Sequence, residues 1–179
     1  MGEETATART VTLGVVNKGS GAYSPGELDV VGGALEVGPT PQSGIVANPS
    51  LQVLSKSTLQ IQDGGFVNLG TFVVENYGTI DIGTEGDGGT LTAGAVINRS
   101  SGVINGGLTF EAATGGTVIN AGQISGLVFS GVTVGDGVLV FNGQGNITNS
   151  GTISGTNGIE FLDGGSVTNS ANGKITGTW

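Results

Sequence analysis

Three carboxylates fall within the run Asp81-Ile82-Gly83-Thr84-Glu85-Gly86-Asp87-Gly88-Gly89, and hard oxygen donors separated by glycine suit a calcium ion. Asp81, Glu85 and Asp87 are therefore the candidate ligands for Ca²⁺, the one cofactor that the sequence suggests. The spacing matches neither an EF-hand nor a repeated nonapeptide. Asp-Gly pairs also make tight turns, and they recur at Asp63-Gly64-Gly65, Asp136-Gly137 and Asp163-Gly164-Gly165. A solvated corner loop accounts for the run without a metal, and the expectation is no cofactor.

Glu160 and Asp163 form a second carboxylate pair, of the kind that acid–base cleavage of a glycan uses. A lyase would instead need a basic group such as Arg99 or Lys174 to take a proton. There is no histidine and no cysteine, which leaves no material for His-based nucleophilic triads, thiolate chemistry or structural zinc. A third possibility is a face for ice or glycan built on threonine: Thr71, Thr79 and Thr152 recur in one slot of a repeated unit. Val103, Gln123 and Lys174 fill that slot elsewhere, so no regular array forms, and threonine there suits an outward strand position.

Net charge is −9, from 14 acidic and 5 basic residues. The basic residues Arg9, Lys18, Lys56, Arg99 and Lys174 are scattered, so no stripe tracks a phosphate backbone and nucleic acid is not an expected partner. No apolar run is long enough to insert into a membrane. The opening Met1-Gly2-Glu3-Glu4 is acidic where a secretory signal is basic and then apolar, so export implies a signal removed or replaced.

Glycine contributes 37 of 179 residues and charged residues only 11%. So many glycines exclude a helix bundle, at about 1 kcal/mol each in helix interiors. With no three-residue period and 4 prolines, collagen is excluded too. Apolar content of 36% is too high for a disordered linker.

The elements that must position the candidate groups appear as a repeat, Asn-x-Gly-x-apolar. It stands at Asn68-Leu69-Gly70-Thr71-Phe72, Asn76-Tyr77-Gly78-Thr79-Ile80, Asn120-Ala121-Gly122-Gln123-Ile124 and Asn149-Ser150-Gly151-Thr152-Ile153, with longer copies from Asn98 to Ile104 and from Asn169 to Ile175. Asn76, Asn98, Asn120, Asn149 and Asn169 are separated by 22, 22, 29 and 20 residues, periods that mark solenoids. Short alternating runs between turn residues read as strands of four or five residues. The fold expected is all-β, a parallel β-helix with coils of about 20 to 22 residues stacked at about 4.8 Å.

In that fold the five asparagines sit at corners, where asparagine tolerates left-handed backbone and can stack as a ladder. Glycine would supply positive φ where the coil turns. Ile80, Ile104, Ile124, Ile153 and Ile175 stack as an internal column, with Phe110, Phe129, Phe141 and Phe161 filling the core elsewhere. Arg99 and Lys174 then lie some three coils apart, roughly 15 Å, too far to share a site. Residues 1–50 hold all the prolines, Pro25, Pro39, Pro41 and Pro49, and read as irregular coils or an amino-terminal cap. Residues 51–179 read as regular coils of one continuous domain. The last unit, from Ser166, is a good copy that meets no polar cap, and an unpaired strand edge is a template for another chain: the expectation is either a piece of a longer solenoid or subunits that stack end to end.

The run Asn146-Ile147-Thr148-Asn149-Ser150-Gly151-Thr152-Ile153-Ser154-Gly155, followed by Asp163-Gly164-Gly165-Ser166-Val167-Thr168-Asn169, resembles the passenger repeats of bacterial autotransporters and filamentous-haemagglutinin-type adhesins. The resemblance covers about residues 60–179. It implies a right-handed β-helix, extracellular or displayed at a bacterial surface, and cysteine-free like chains that cross an outer membrane unfolded. The chain has no room for that family's membrane translocator barrel. No site residue transfers, because the shared motif is structural. The expected function is non-enzymatic, structural or adhesive, with partners that are other copies of the chain, end to end or laterally, or surface glycans or a host receptor. The alternative is a carbohydrate-binding or carbohydrate-cleaving β-helix, a lyase, hydrolase or tailspike-like protein.

Overall fold

Strands of alternating polarity present one face inward, and corners of a few residues turn each strand into the next rather than back upon it. The computed structural model describes strands Thr5–Ala8, Thr10–Leu13, Val15–Val16, Tyr23–Ser24, Glu27–Val31 and Ala34–Val37, and residues 50–178 apart from 63–65, 69–72, 84–89, 111–115, 127, 130–131, 134 and 142. The chain is an all-β parallel β-solenoid. No helix of the described residues is long and apolar enough to cross a membrane.

Each complete coil contributes one strand to each of three faces. The asparagine sheet stacks Thr10–Leu13, Ser50–Val53, Val73–Asn76, Ala95–Asn98, Gly116–Asn120, Gly145–Asn149 and Gly165–Asn169. The isoleucine sheet stacks Glu27–Val31, Thr58–Gln62, Thr79–Ile82, Val103–Gly106, Gln123–Gly126, Thr152–Gly155 and Lys174–Gly177. The third face is built from a four-stranded group, Thr5–Ala8, Ala34–Val37, Phe66–Asn68 and Thr90–Thr92, and a three-stranded group, Leu108–Phe110, Val138–Val140 and Ile159–Phe161. All pairings within these faces are parallel, because the neighbour of each strand is its counterpart one coil away.

Register holds along the axis without slippage. Leu59, Ile80, Ile104, Ile124 and Ile153 follow one another as partners in one column, all fully buried, and Ile175 continues it partly buried. Leu51, Val74, Val96, Val118 and Ile147 make the matching column of the asparagine sheet. Each buried aliphatic side chain is worth about 1.5 to 3 kcal/mol, and no coil can hide its own apolar edge from water without the coils above and below.

The coil from Asn120 to Asn149 is 29 residues long rather than 22, and an antiparallel pair, Val128–Phe129 with Val132–Thr133, occupies the excess. A second such pair, Val15–Val16 with Tyr23–Ser24, lies between Thr10–Leu13 and Glu27–Val31. Phe110 is buried and Phe161 packs partly buried against the core. Phe141, expected inside, is 52% exposed. It follows Val138–Val140, whose alternation already places Val138 and Val140 inward, so the next residue leaves the sheet at the corner. The side chain of Phe129 and the four prolines lie outside the described residues.

Candidate functional site: an amide ladder

The asparagine strands end on an inward position. Asn76, Asn98, Asn120 and Asn149 are each at most 1% exposed, although burying an unbonded primary amide costs several kcal/mol. Their hydrogen bonds remove that cost. The Nδ2 groups of Asn76, Asn98, Asn120 and Asn149 donate to Oδ1 of the asparagine one coil on, at 2.9, 2.8, 2.8 and 2.8 Å, the last acceptor being Asn169. The same nitrogens donate to the backbone carbonyls of Val103, Gln123, Thr152 and Lys174 at 3.0 to 3.3 Å, tying the asparagine sheet to the isoleucine sheet across the corner. At the opposite end of the row, Asn76 Oδ1 accepts from the backbone N–H of Gly78 at 3.1 Å. Among the described residues, no buried side-chain nitrogen or oxygen lacks a partner.

The asparagines do not use left-handed backbone. Among the described residues, Lys56 is the non-glycine residue with positive φ, while the asparagines close their strands in extended conformation and act through the amide. The glycines that follow likewise do not carry positive φ. They are needed for close approach: a Cβ on Gly102 would lie 2.2 Å from Asn98 Oδ1, and one on Gly151 would lie 2.1 Å from the carbonyl oxygen of Gly122. The Asn-x-Gly signature is thus a packing rule between successive corners.

Outside this corner, Glu75 collects four donors. Arg99 Nε donates at 2.9 Å, a second guanidinium nitrogen of Arg99 also donates and forms the ion pair, the Tyr77 hydroxyl donates at 2.8 Å and Gln52 Nε2 at 3.2 Å. The Arg99 guanidinium carbon also stands 5.6 Å from the Tyr77 ring centre, within cation–π range. The hydrogen bond from Arg99 is the main cause that holds the Glu75 carboxyl below its ordinary 4.5, and the bond to Glu75 raises the Tyr77 hydroxyl above its ordinary 10.0. Arg99, raised as a proposed base, is therefore held as a cation beside a carboxylate. The partners are 24 residues apart in sequence, about one coil, and that spacing is the signal by which the cluster could have been found.

The other chemical candidates are dispersed. Asp81 accepts from the side-chain amide of Asn105, its register partner in the next coil; Glu85 and Asp87 lie outside the described residues. Glu160 accepts from Asn157 Nδ2 at 2.8 Å, and Asp163 from the backbone N–H of Gly143 at 3.3 Å. Among the described residues, no three acidic side chains gather as a metal site. Thr79 and Thr152 share one outward column with Thr58, Val103, Gln123 and Lys174, and Thr71 lies outside the described residues.

The last coil is different in kind. Gly165–Asn169 is exposed along its length, with Val167 43% exposed. An open hollow of about 410 Å³ is lined by Ile159, Phe161, Val167 and Ile175 together with the backbone around Gly158 and Gly177. Asn169 Nδ2 donates to the carbonyl of Gly173 at 2.8 Å, with no further amide beyond it among the described residues. Comparison with protein families, with curated proteins and with solved structures finds no match to the chain.

Proposed function

We propose that the chain is a non-enzymatic extracellular scaffold of the adhesin type that associates with copies of itself. The observation that carries this reading is the amide ladder: the most distinctive polar groups of the described coils are spent on holding one coil to the next. The described carboxylates and Arg99 are each engaged locally, which favours a structural role over glycan cleavage. The resemblance to autotransporter passenger and haemagglutinin-type repeats supports placement at a bacterial surface, and the lack of cysteine suits that family, whose members cross an outer membrane unfolded. A strand edge of unpaired N–H and C=O groups is a template for another strand, and solenoid coils bury their faces only against neighbouring coils.

The test is the particle size of the purified chain over a concentration series, by light scattering and negative-stain microscopy. Growth into rods or filaments with concentration is expected. A monodisperse monomer at every concentration, or release of sugar from a polysaccharide panel, would overturn the proposal.

A further inference from the structure

Two segments of the chain read Asn-x-Ser/Thr with no proline between, Asn98-Arg99-Ser100 and Asn146-Ile147-Thr148, the acceptor signature for an N-linked sugar. Asn48-Pro49-Ser50 carries proline in the middle, which closes it. The fold gives the two open signatures opposite surroundings. Asn146 and Thr148 are alternate residues of Gly145–Asn149, both exposed on the outer side of the asparagine sheet, while Ile147 between them is buried. Asn146 Oδ1 accepts from Ser166 Oγ at 2.9 Å, and its Nδ2 donates to none of the described residues. The register neighbours are Thr117 and Ser166 for Asn146, and Ile119 and Thr168 for Thr148.

We infer that Asn146 is an acceptor site for an N-linked sugar, carried on the outer face of the asparagine sheet. The transfer takes a nucleotide-activated sugar: a bond forms between Asn146 Nδ2 and the sugar C1 as the bond from C1 to the nucleoside diphosphate breaks, and one amide proton is released. The amide keeps its oxygen, so the hydrogen bond from Ser166 survives. Attachment leaves the interior alone, because the inward positions of that strand are Gly145, Ile147 and Asn149. The patch suits a sugar: the hydroxyls of Thr117, Thr148, Ser166 and Thr168 surround the amide, and Ile119, 45% exposed, offers the ring an apolar surface.

Asn98 is closed to the same chemistry. It is 1% exposed, and its Nδ2 donates to Asn120 Oδ1 at 2.8 Å and to the carbonyls of Gly102 and Gln123 at 3.2 and 3.1 Å. A Cβ on Gly102 would stand 2.2 Å from Asn98 Oδ1, so the corner has no room for a methyl group and none for a sugar ring. Replacing an N–H of Asn98 by a bond to carbon also strips a donor from buried acceptors. A chain that receives a sugar at Asn98 before its coils stack cannot complete that corner. The fold therefore selects between two identical signatures, and folded chains carry the sugar at Asn146 alone.

The experiment produces the full chain together with a soluble N-glycosyltransferase that acts on Asn-x-Ser/Thr with a nucleotide-activated hexose, its activity confirmed on an acceptor peptide. The enzyme then meets the chain before folding is complete. Peptides are mapped by mass spectrometry before and after limited proteolysis, which spares folded chain. Hexose at Asn146 is expected in both samples, and hexose at Asn98 is expected in neither or only before proteolysis. Ser100→Ala, which removes the Asn98 signature alone, should keep the hexose at Asn146. Thr148→Val should abolish it with circular dichroism and melting unchanged, because valine suits an exposed strand position. Asn146 left bare before proteolysis, or hexose at Asn146 that disappears with the digested chain, overturns the site. Hexose at Asn98 in chain that survives proteolysis overturns the selection by the fold.

Discussion

At the scale of single residues, the buried amides explain why asparagine rather than an apolar residue closes the inner strands. Asn120 joins Asn98 on one side and Asn149 on the other, and also holds the carbonyl of Thr152 at 3.0 Å. Asn120→Leu keeps similar bulk but takes the donor from Asn149 Oδ1 and from the Thr152 carbonyl in a dry corner, while Asn98 Nδ2 keeps the carbonyls of Gly102 and Gln123. An unsatisfied buried polar group costs about 1 to 3 kcal/mol, so the variant should lose about 3 kcal/mol or more, read as a fall in the urea midpoint. Glu75 makes the opposite kind of contribution, at the surface and dependent on pH. Because its folded carboxyl titrates below the ordinary 4.5, the stability it supplies is complete above that value and is lost as pH falls through the lower folded one. Glu75→Gln should therefore flatten the acid side of the melting profile between neutral and strongly acidic pH, and the difference should shrink in high salt because the pair is solvent-exposed.

At the scale of elements, a coil is defined by what its corner lets it approach. A Cβ on Gly151 would press on the backbone of the preceding corner, 2.1 Å from Gly122 O, and neither corner has a flexible side chain to move aside. Gly151→Ala should cost about 2 to 4 kcal/mol, with amide exchange accelerated first at Gly116–Asn120 and Gly145–Asn149 on either side of the opened corner. The same corner shows what the sequence disclosed and why the rest was hidden. The Asn-x-Gly-x-Ile spacing was enough to read parallel coils, since one period repeated along the chain fixes which strand follows which. It did not disclose why Asn and Gly were there: turn chemistry is a local property, whereas the amide-to-amide bonds and the glycine contacts run between residues a full coil apart. Phe141 was misread for a related reason, because the inward alternation of Val138–Val140 is set by pairing with Leu108–Phe110 and Ile159–Phe161. The Glu75–Arg99–Tyr77 cluster likewise arises only when neighbouring coils are superposed.

At the scale of the whole molecule, stability is the sum of nearest-neighbour contacts, so the end coils open before the middle ones. The coil that carries Val128–Phe129 and Val132–Thr133 has a separate bearing on this architecture. It takes in several additional residues between Gln123–Gly126 and Val138–Val140, yet Asn120 and Asn149 remain register partners and Ile124 still stacks on Ile153. The interval between Gly126 and Val138 is therefore a graft point: foreign peptide spliced there should leave the stacked columns on either side in register and be carried on the outside of the scaffold as a displayed epitope.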